Sequence, residues 1–291
     1  MNKLALGTVQ FGLDYGVSST TGKVKPEEVG KILNYAHSAG ISLLDVAPAY
    51  GNSEKVLGNA NVDRFKVVTK TRHFDSFEIN NKDVELLRKD FACSLLDLKQ
   101  NSVYGVLVHN ADDLLKPGSQ KLFDQLQALK KAKKIKKIGV SVYDHNQLQS
   151  ILDNFDIDLV QLPFNILDKR LINSGMLAKL YSKGIEVHAR SVFLQGLLLM
   201  SEQNRPNKFN RWSVLWKIWH EWLNDNRITA LKATTRYAVS MPEISRVLVG
   251  VDATDQLMEI VAASSGVLPK IPDELFTDDA DLLNPSNWGK L

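Results

Sequence analysis

Eight short runs of β-favouring, apolar residues alternate with amphipathic helical patterns along nearly the whole chain. The runs fall at 4–8, 42–46, 66–70, 104–109, 136–141, 158–162, 185–190 and 247–251. Helical periodicity occupies 26–39, 53–59, 82–96, 119–133, 145–153, 174–183, 212–239 and 254–263. A strand followed by a helix and another strand predicts parallel pairing, because the helix carries the chain back to the starting edge. An open doubly wound sheet and a closed barrel both satisfy this order. Eight strands favour closure, which leaves no edge unpaired. The expectation is an α/β fold, a (β/α)8 TIM barrel as a single domain over 1–291, with long loops at the carboxyl ends of the strands and a C-terminal tail. A chain of 291 residues, 44% of them hydrophobic, supplies the core such a barrel needs. No linker, low-complexity tract or short repeat divides it.

Three connections are long: 10–25, rich in Gly, Ser and Thr; 200–211, polar and containing Pro206; and the tail from Leu268. In a barrel, such loops build the site. Four polar residues stand at or just beyond strand ends: Asp45, Tyr50, Lys70 and His109. A charge directly after an apolar strand is costly to bury alone, so Asp45 and Lys70 are expected to pair. The plain alternative is a strand-end ion pair, a loop tyrosine and a core histidine with no joint role.

These segments resemble the aldo-keto reductases. The resemblance rests on Leu6-Gly7-Thr8 with Phe11-Gly12, on Asp45-Val46-Ala47-Pro48-Ala49-Tyr50-Gly51, and on Lys70, His109 and Gly139-Val140-Ser141, in order along nearly the whole chain. It implies a nicotinamide-dependent oxidoreductase that reduces an aldehyde, ketone or sugar carbonyl or oxidises the alcohol, with Tyr50 as general acid or base. Tyrosine keeps its proton at neutral pH because its reference pKa is about 10. Lys70 would lower that value and ease the transfer, Asp45 would hold Lys70, and His109 would orient the carbonyl oxygen. The wording of 9–16 and 188–191 further resembles a bacterial subgroup linked to sugar or surface-polysaccharide metabolism.

No G-x-G-x-x-G turn or Walker loop is present, so a Rossmann site is unsupported. The resemblance instead implies NADP(H) or NAD(H) held across the strand ends by Gly7, Thr8, Asp45, Ser141, Gln161, Arg190, Ser191, Gln195, Gly250, Asp252, Thr254 and Gln256. Ser141 and Gln161 would take the carboxamide. The alternatives are a helix cap near Asp144 for Ser141 and a buried amide satisfied by backbone for Gln161. Arg190 stands where relatives carry a stacking aromatic. It would stack on the ring or meet a phosphate or anionic substrate, and otherwise bridges to a carboxylate. Gly250 and Thr254 would meet phosphate at a helix start. Asp252 stands where a cation for the 2′-phosphate of NADP is expected, which hints at NAD(H). The alternative is a helix cap.

Tyr50, His109 and Trp212 are the candidate substrate contacts, Trp212 because it lies nearest the 200–211 loop. The helical spacing of Trp212, Trp216 and Trp219, with Trp222 beside them, otherwise reads all four as core packing against the barrel. The single cysteine, Cys93, reads as buried and excludes an internal disulfide, which suits a reducing cytoplasm. No signal peptide or membrane span is expected. A net charge of +3 argues against nucleic acid or membrane partners, and the Lys130–Lys137 block reads as a solvated helix end. The partner is then a small carbonyl or sugar molecule. The remaining histidines lack metal-ligand spacing, so no metal is expected. Two other functions compete: a cofactor-binding, non-catalytic barrel with a regulatory role, and a lyase or isomerase using Lys70 as a Schiff base.

Overall fold

The computed structural model describes residues 2–16, 22–143 and 145–291. Eight parallel strands close into a barrel: β1 (Leu4–Gly7), β2 (Leu43–Asp45), β3 (Lys66–Lys70), β4 (Val103–Val108), β5 (Ile135–Ser141), β6 (Leu159–Pro163), β7 (Glu186–Arg190) and β8 (Arg246–Val249). Closure is made by β8 on β1, with Leu4 opposite Val247. Eleven helices are described: α1 (Pro26–Ser38), α2 (Ser53–Asn59), α3 (Asn81–Leu98), α4 (Gln120–Lys131), α5 (His145–Asn154), α6 (Arg170–Asn173), α7 (Met176–Ser182), α8 (Ser213–Asp225), α9 (Ala230–Ser240), α10 (Thr254–Ala263) and α11 (Ala280–Leu283).

Alternation along the strands sorts the core into two regions. Ala5, Leu43, Val68, Leu107, Leu159 and Leu248 form one cluster, supplied by six different strands, which plugs the barrel interior. The intervening residues, such as Leu4, Leu6, Val67 and Val106, join the larger layer beneath the helices. Side chains along a strand alternate faces, so the residue two positions beyond each plug residue also points inward. Those next positions are Gly7, Asp45, Lys70, His109, Gln161 and Gly250. The apolar plug therefore supports a polar layer at the carboxyl ends.

Several expectations need correction. The helix expected over 212–239 is two, α8 and α9, because Arg227 takes φ +48° and Thr229 caps α9 by accepting from the Lys232 amide. Apolar spacing continues across the break, so periodicity alone bridges it. Trp212 lies just before α8 rather than on it. Cys93 is exposed, not buried. The buried residues of α3 are Asp83, Leu87, Phe91, Ser94 and Leu98, and Cys93, two residues past Phe91, falls on the opposite side of the helix. The tail packs down: Leu275, Leu282, Leu283 and Trp288 are buried, and Lys208 Nζ donates to the Trp288 carbonyl at 2.8 Å.

The Lys130–Lys137 block spans the end of α4 and the start of β5. Two of its lysines are paired, Lys130 with Asp158 and Lys137 with Glu186. Among the described residues no helix is long and apolar enough to cross a membrane, and no group of three or more His, Cys, Asp or Glu is placed to hold a metal.

Candidate active site

A cleft of about 600 Å³ opens at the carboxyl ends of the strands. It is lined by Gly7, Thr8, Asp45, Tyr50, His109, Ser141, Gln161, Arg190, Ser191, Gln195, Gly250, Asp252 and Gln256. Lys70 lies buried directly behind this lining. Its Nζ donates to Asp45 Oδ2 at 2.7 Å and to the Val46 carbonyl at 3.0 Å, and stands 4.8 Å from the centre of the Tyr50 ring. Asp45 Oδ1 accepts from Gln161 Nε2 at 2.6 Å. Gln161 is thus tied to the ion pair rather than to backbone. The His109 ring meets the Tyr50 ring edge-on, with centres 6.1 Å apart.

The turn that presents Tyr50 is built from backbone contacts. The Tyr50 amide donates to the Ala47 carbonyl, and the Ser53 amide to the Tyr50 carbonyl. Gly51 follows with φ +60°, the left-handed region. A Cβ at Gly12 would stand 1.8 Å from the Tyr50 carbonyl oxygen, and one at Gly51 would stand 2.5 Å from the Gly12 oxygen. The two glycines permit this direct backbone packing. Ser53 Oγ donates to the Thr8 carbonyl, which joins the turn to the end of β1.

Burial pushes the Tyr50 hydroxyl above its ordinary value. Lys70 acts in the opposite direction without cancelling the rise, and Asp45 adds to it. Lys70 does lower the value as expected, but taking the phenol out of water outweighs one nearby ammonium already shared with Asp45, so the net shift is upward. Burial also disfavours the charged form of Lys70, but Asp45 and Tyr50 outweigh it and hold the ammonium above its usual range.

Burial, reinforced by the Lys70 charge, lowers His109 to about 4. An unfolded histidine titrates at about 6.5. Between these values the unfolded chain takes up a proton that the folded protein refuses. The stability contributed is complete above the unfolded value and declines as pH falls toward the folded one. From pH 6.5 to 5 this group is expected to cost about 2 kcal/mol. Urea unfolding at pH 7 and pH 5 should show that much greater loss in the native protein than in His109→Asn; equal losses would refute it.

Two expected site residues lie elsewhere. Trp212 is absent from the lining: its Nε1 donates to Asp279 Oδ2 at 2.9 Å, and it packs beside the tail. The amide and hydroxyl of Thr254 both donate to Glu28 Oε1, at 2.8 and 2.6 Å. A carboxylate from α1 thus occupies the start of α10, where a phosphate was expected. These hydrogen bonds hold Glu28 down at about 2. Asp252 does not cap α10. Its Oδ1 is buried without a partner, and its own amide donates to Gln256 Oε1. Burial and the charge of Asp14 raise its carboxyl. Asp144, invoked for a cap at Ser141, and residues 17–21 of the first long loop lie outside the described residues.

Other lining residues were not anticipated. Tyr143, two residues beyond Ser141, lies with its ring centre 4.3 Å from the Arg190 guanidinium carbon. Gln195 Nε2 donates to Tyr15 Oη at 3.2 Å, which links the loops after β7 and β1. Glu54, behind the lining, accepts from Thr69 and Ser94. Its signal was its place one turn beyond Tyr50.

A nicotinamide dinucleotide fits this cleft. The volume falls in the range of small-molecule sites. Gln10 Oε1 and Asp252 Oδ1 are buried acceptors left without partners, both beside Gly250. Ribose hydroxyls are donors of the kind they lack.

The aldo/keto reductase family profile matches residues 3–272. Among curated proteins, the chain is 26% identical over 317 aligned positions to an NADH-specific methylglyoxal reductase of Escherichia coli (strain K12), covering 97% of this chain and 96% of the relative. It is 28% identical over 280 aligned positions to an L-galactose dehydrogenase of Arabidopsis thaliana, covering 89% of this chain and 85% of the relative. Among solved structures, the holo form of aldo-keto reductase AKR11C1 from Bacillus halodurans superposes with a TM-score of 0.72 at 18% identity. The glycerol dehydrogenase AKR11B4 from Gluconobacter oxydans gives 0.69 at 18% identity. Each comparison covers 94% of this chain and 89% of the other, and supports the fold alone.

Proposed function

The chain belongs to the aldo/keto reductase family and is a nicotinamide-dependent oxidoreductase; from that premise we propose that it reduces a sugar-type carbonyl with Tyr50 as general acid and NADH as preferred cofactor. The observation that carries the catalytic assignment is the buried chain of Gln161, Asp45 and Lys70 ending at the Tyr50 ring. The cofactor, when bound, supplies the hydride that reduces the carbonyl carbon. Ser141 and the Oε1 of Gln161 would hold its carboxamide, and Gly7, Thr8, Ser191, Gln195 and Gly250, which line the same cleft, would hold the rest.

The substrate oxygen sits between Tyr50 and His109. Tyr50 keeps its proton until negative charge develops on that oxygen, because burial disfavours the phenolate beforehand. Transfer from Tyr50 Oη then neutralises the alkoxide, and Lys70 stabilises the tyrosinate left behind. Asp45 and the Val46 carbonyl hold Lys70 from turning away. His109, neutral above about pH 4, offers a ring N–H to the same oxygen. Alcohol oxidation uses the same residues in reverse, with Tyr50 as base. The curated relative named for L-galactose supports a sugar substrate.

Cofactor preference rests on Asp252. The cleft lining there includes Asp252 and Glu259, and the single Lys or Arg in the described lining is Arg190, on β7. A ribose 2′-hydroxyl donates to a carboxylate, whereas a 2′-phosphate is repelled. Titration followed by tryptophan quenching should give a Kd for NADH at least tenfold below that for NADPH, and Asp252→Lys should narrow the gap. Tighter binding of NADPH to the native protein would reverse this assignment. The name of the curated Escherichia coli relative supports NADH.

A further inference from the structure

The guanidinium of Arg190 is a cation placed in a catalytic cleft without an acid to balance it. Arg190 closes β7 and is half-buried in the cleft wall. Its Nη2 donates to the Val142 carbonyl at 3.1 Å and its Nη1 to Ser191 Oγ at 3.3 Å. Both partners are neutral, and no Asp or Glu pairs with it among the described residues. Tyr143 covers one face of the guanidinium. One N–H on each terminal nitrogen remains uncommitted, in the planar fork that suits a carboxylate or phosphate.

A charge drawn into a cleft wall loses hydration that one aromatic face and two neutral acceptors do not restore. The missing partner is anionic. Its place follows from the cleft itself. Arg190 ends β7 and reaches across to the Val142 carbonyl just past β5, in the same lining as Tyr50 and His109. An anion held by its fork therefore shares the cleft with the two residues assigned to the carbonyl oxygen.

We propose that Arg190 binds an anionic group carried by the substrate, so that the natural substrate is an acidic carbonyl compound, a sugar bearing carboxylate or phosphate, rather than a neutral one. Tyr143 holds the guanidinium flat against the wall, and Val142 and Ser191 set its orientation. The fork then fixes the substrate by its charge while Tyr50 and His109 take its carbonyl oxygen. This inference rests on the carbonyl-reduction reading above and names the class of substrate for that site.

The test uses the full-length protein with NADH and two matched pairs: D-glyceraldehyde against its 3-phosphate, and D-glucose against D-glucuronate. The native enzyme should favour the charged member of at least one pair by tenfold or more in kcat/KM. The pair that shows it identifies phosphate or carboxylate as the recognised group. Arg190→Gln should bring that ratio to within about twofold, chiefly through KM, and Arg190→Lys should retain part of it as a cation without the fork. Native ratios near one in both pairs would overturn the proposal. So would an Arg190→Gln variant that keeps the ratio but binds NADH tenfold more weakly, which would assign the guanidinium to the cofactor. No oxidation of NADH by any of the four compounds, in a folded sample that binds NADH, would instead remove the sugar-carbonyl reading itself, and this proposal with it.

Discussion

Tyr50→Phe is expected to lower kcat by about a thousandfold, in the range that removal of a positioned general acid produces. The Kd for NADH should stay within about twofold. The substitution deletes one oxygen and leaves the ring, its edge-on contact with His109 and the position of Lys70 over its face. The turn survives because it is held through backbone atoms at Ala47, Ser53 and Gly12 rather than through the hydroxyl. What is lost is the proton that must reach the alkoxide oxygen. His109 is no substitute, since its pKa of about 4 leaves it neutral at working pH, with no imidazolium proton to transfer and only a hydrogen bond to give. Single-turnover measurement of NADH oxidation would isolate the chemical step. A loss below tenfold would assign the proton to another group, and a matching loss of NADH affinity would mean the variant has disturbed the cleft.

Asp45→Ala is expected to destabilise the protein by about 3–5 kcal/mol, the cost of leaving a buried charge without its partner. For a barrel of this size that is roughly a 10 °C fall in Tm. Lys70 would keep no anionic partner, only the Val46 carbonyl and the Tyr50 hydroxyl, and the Gln161 amide would lose its acceptor. Removing both charges should be milder than removing one. The double variant Asp45→Leu with Lys70→Met is expected to be more stable than Asp45→Ala, yet inactive, because an apolar pair of similar volume leaves no isolated ammonium. Urea unfolding of the native protein, Asp45→Leu, Lys70→Met and the double variant, with Asp45→Ala alongside, tests this as a double-mutant cycle. A cost below 1 kcal/mol for Asp45→Ala would mean that water or another carboxylate already reaches Lys70.

The barrel was legible because its signals are periodic and local. Strand alternation put Leu43 and Asp45, Val68 and Lys70, and Leu107 and His109 on common faces, so a polar layer above an apolar plug could be read from spacing. The pairing of Asp45 with Lys70 followed from the cost of burying either alone. What escaped were features decided between distant segments. Periodicity could not show that the indole of Trp212 is taken by Asp279, nor that Glu28 fills the start of α10 before any phosphate could. Cys93 was misplaced because an apolar stretch was read without its helical phase. Tyr143 was overlooked although it follows Ser141 by two residues, because its link to Arg190 joins the ends of β5 and β7.

The hydrogen bond from Gln161 to Asp45 spans 116 residues and joins β6 to β2. It has a meaning for the history of each molecule. During synthesis, Asp45 and Lys70 emerge together, but the amide that fixes the far oxygen of Asp45 arrives only when more than half of the chain has been made. A partly closed barrel holds an acid and a base without the brace that aims them. On the proposed mechanism, the set therefore needs β6 as well as β2 and β3, and a chain that stops short of Gln161 carries Asp45 and Lys70 without the brace between them.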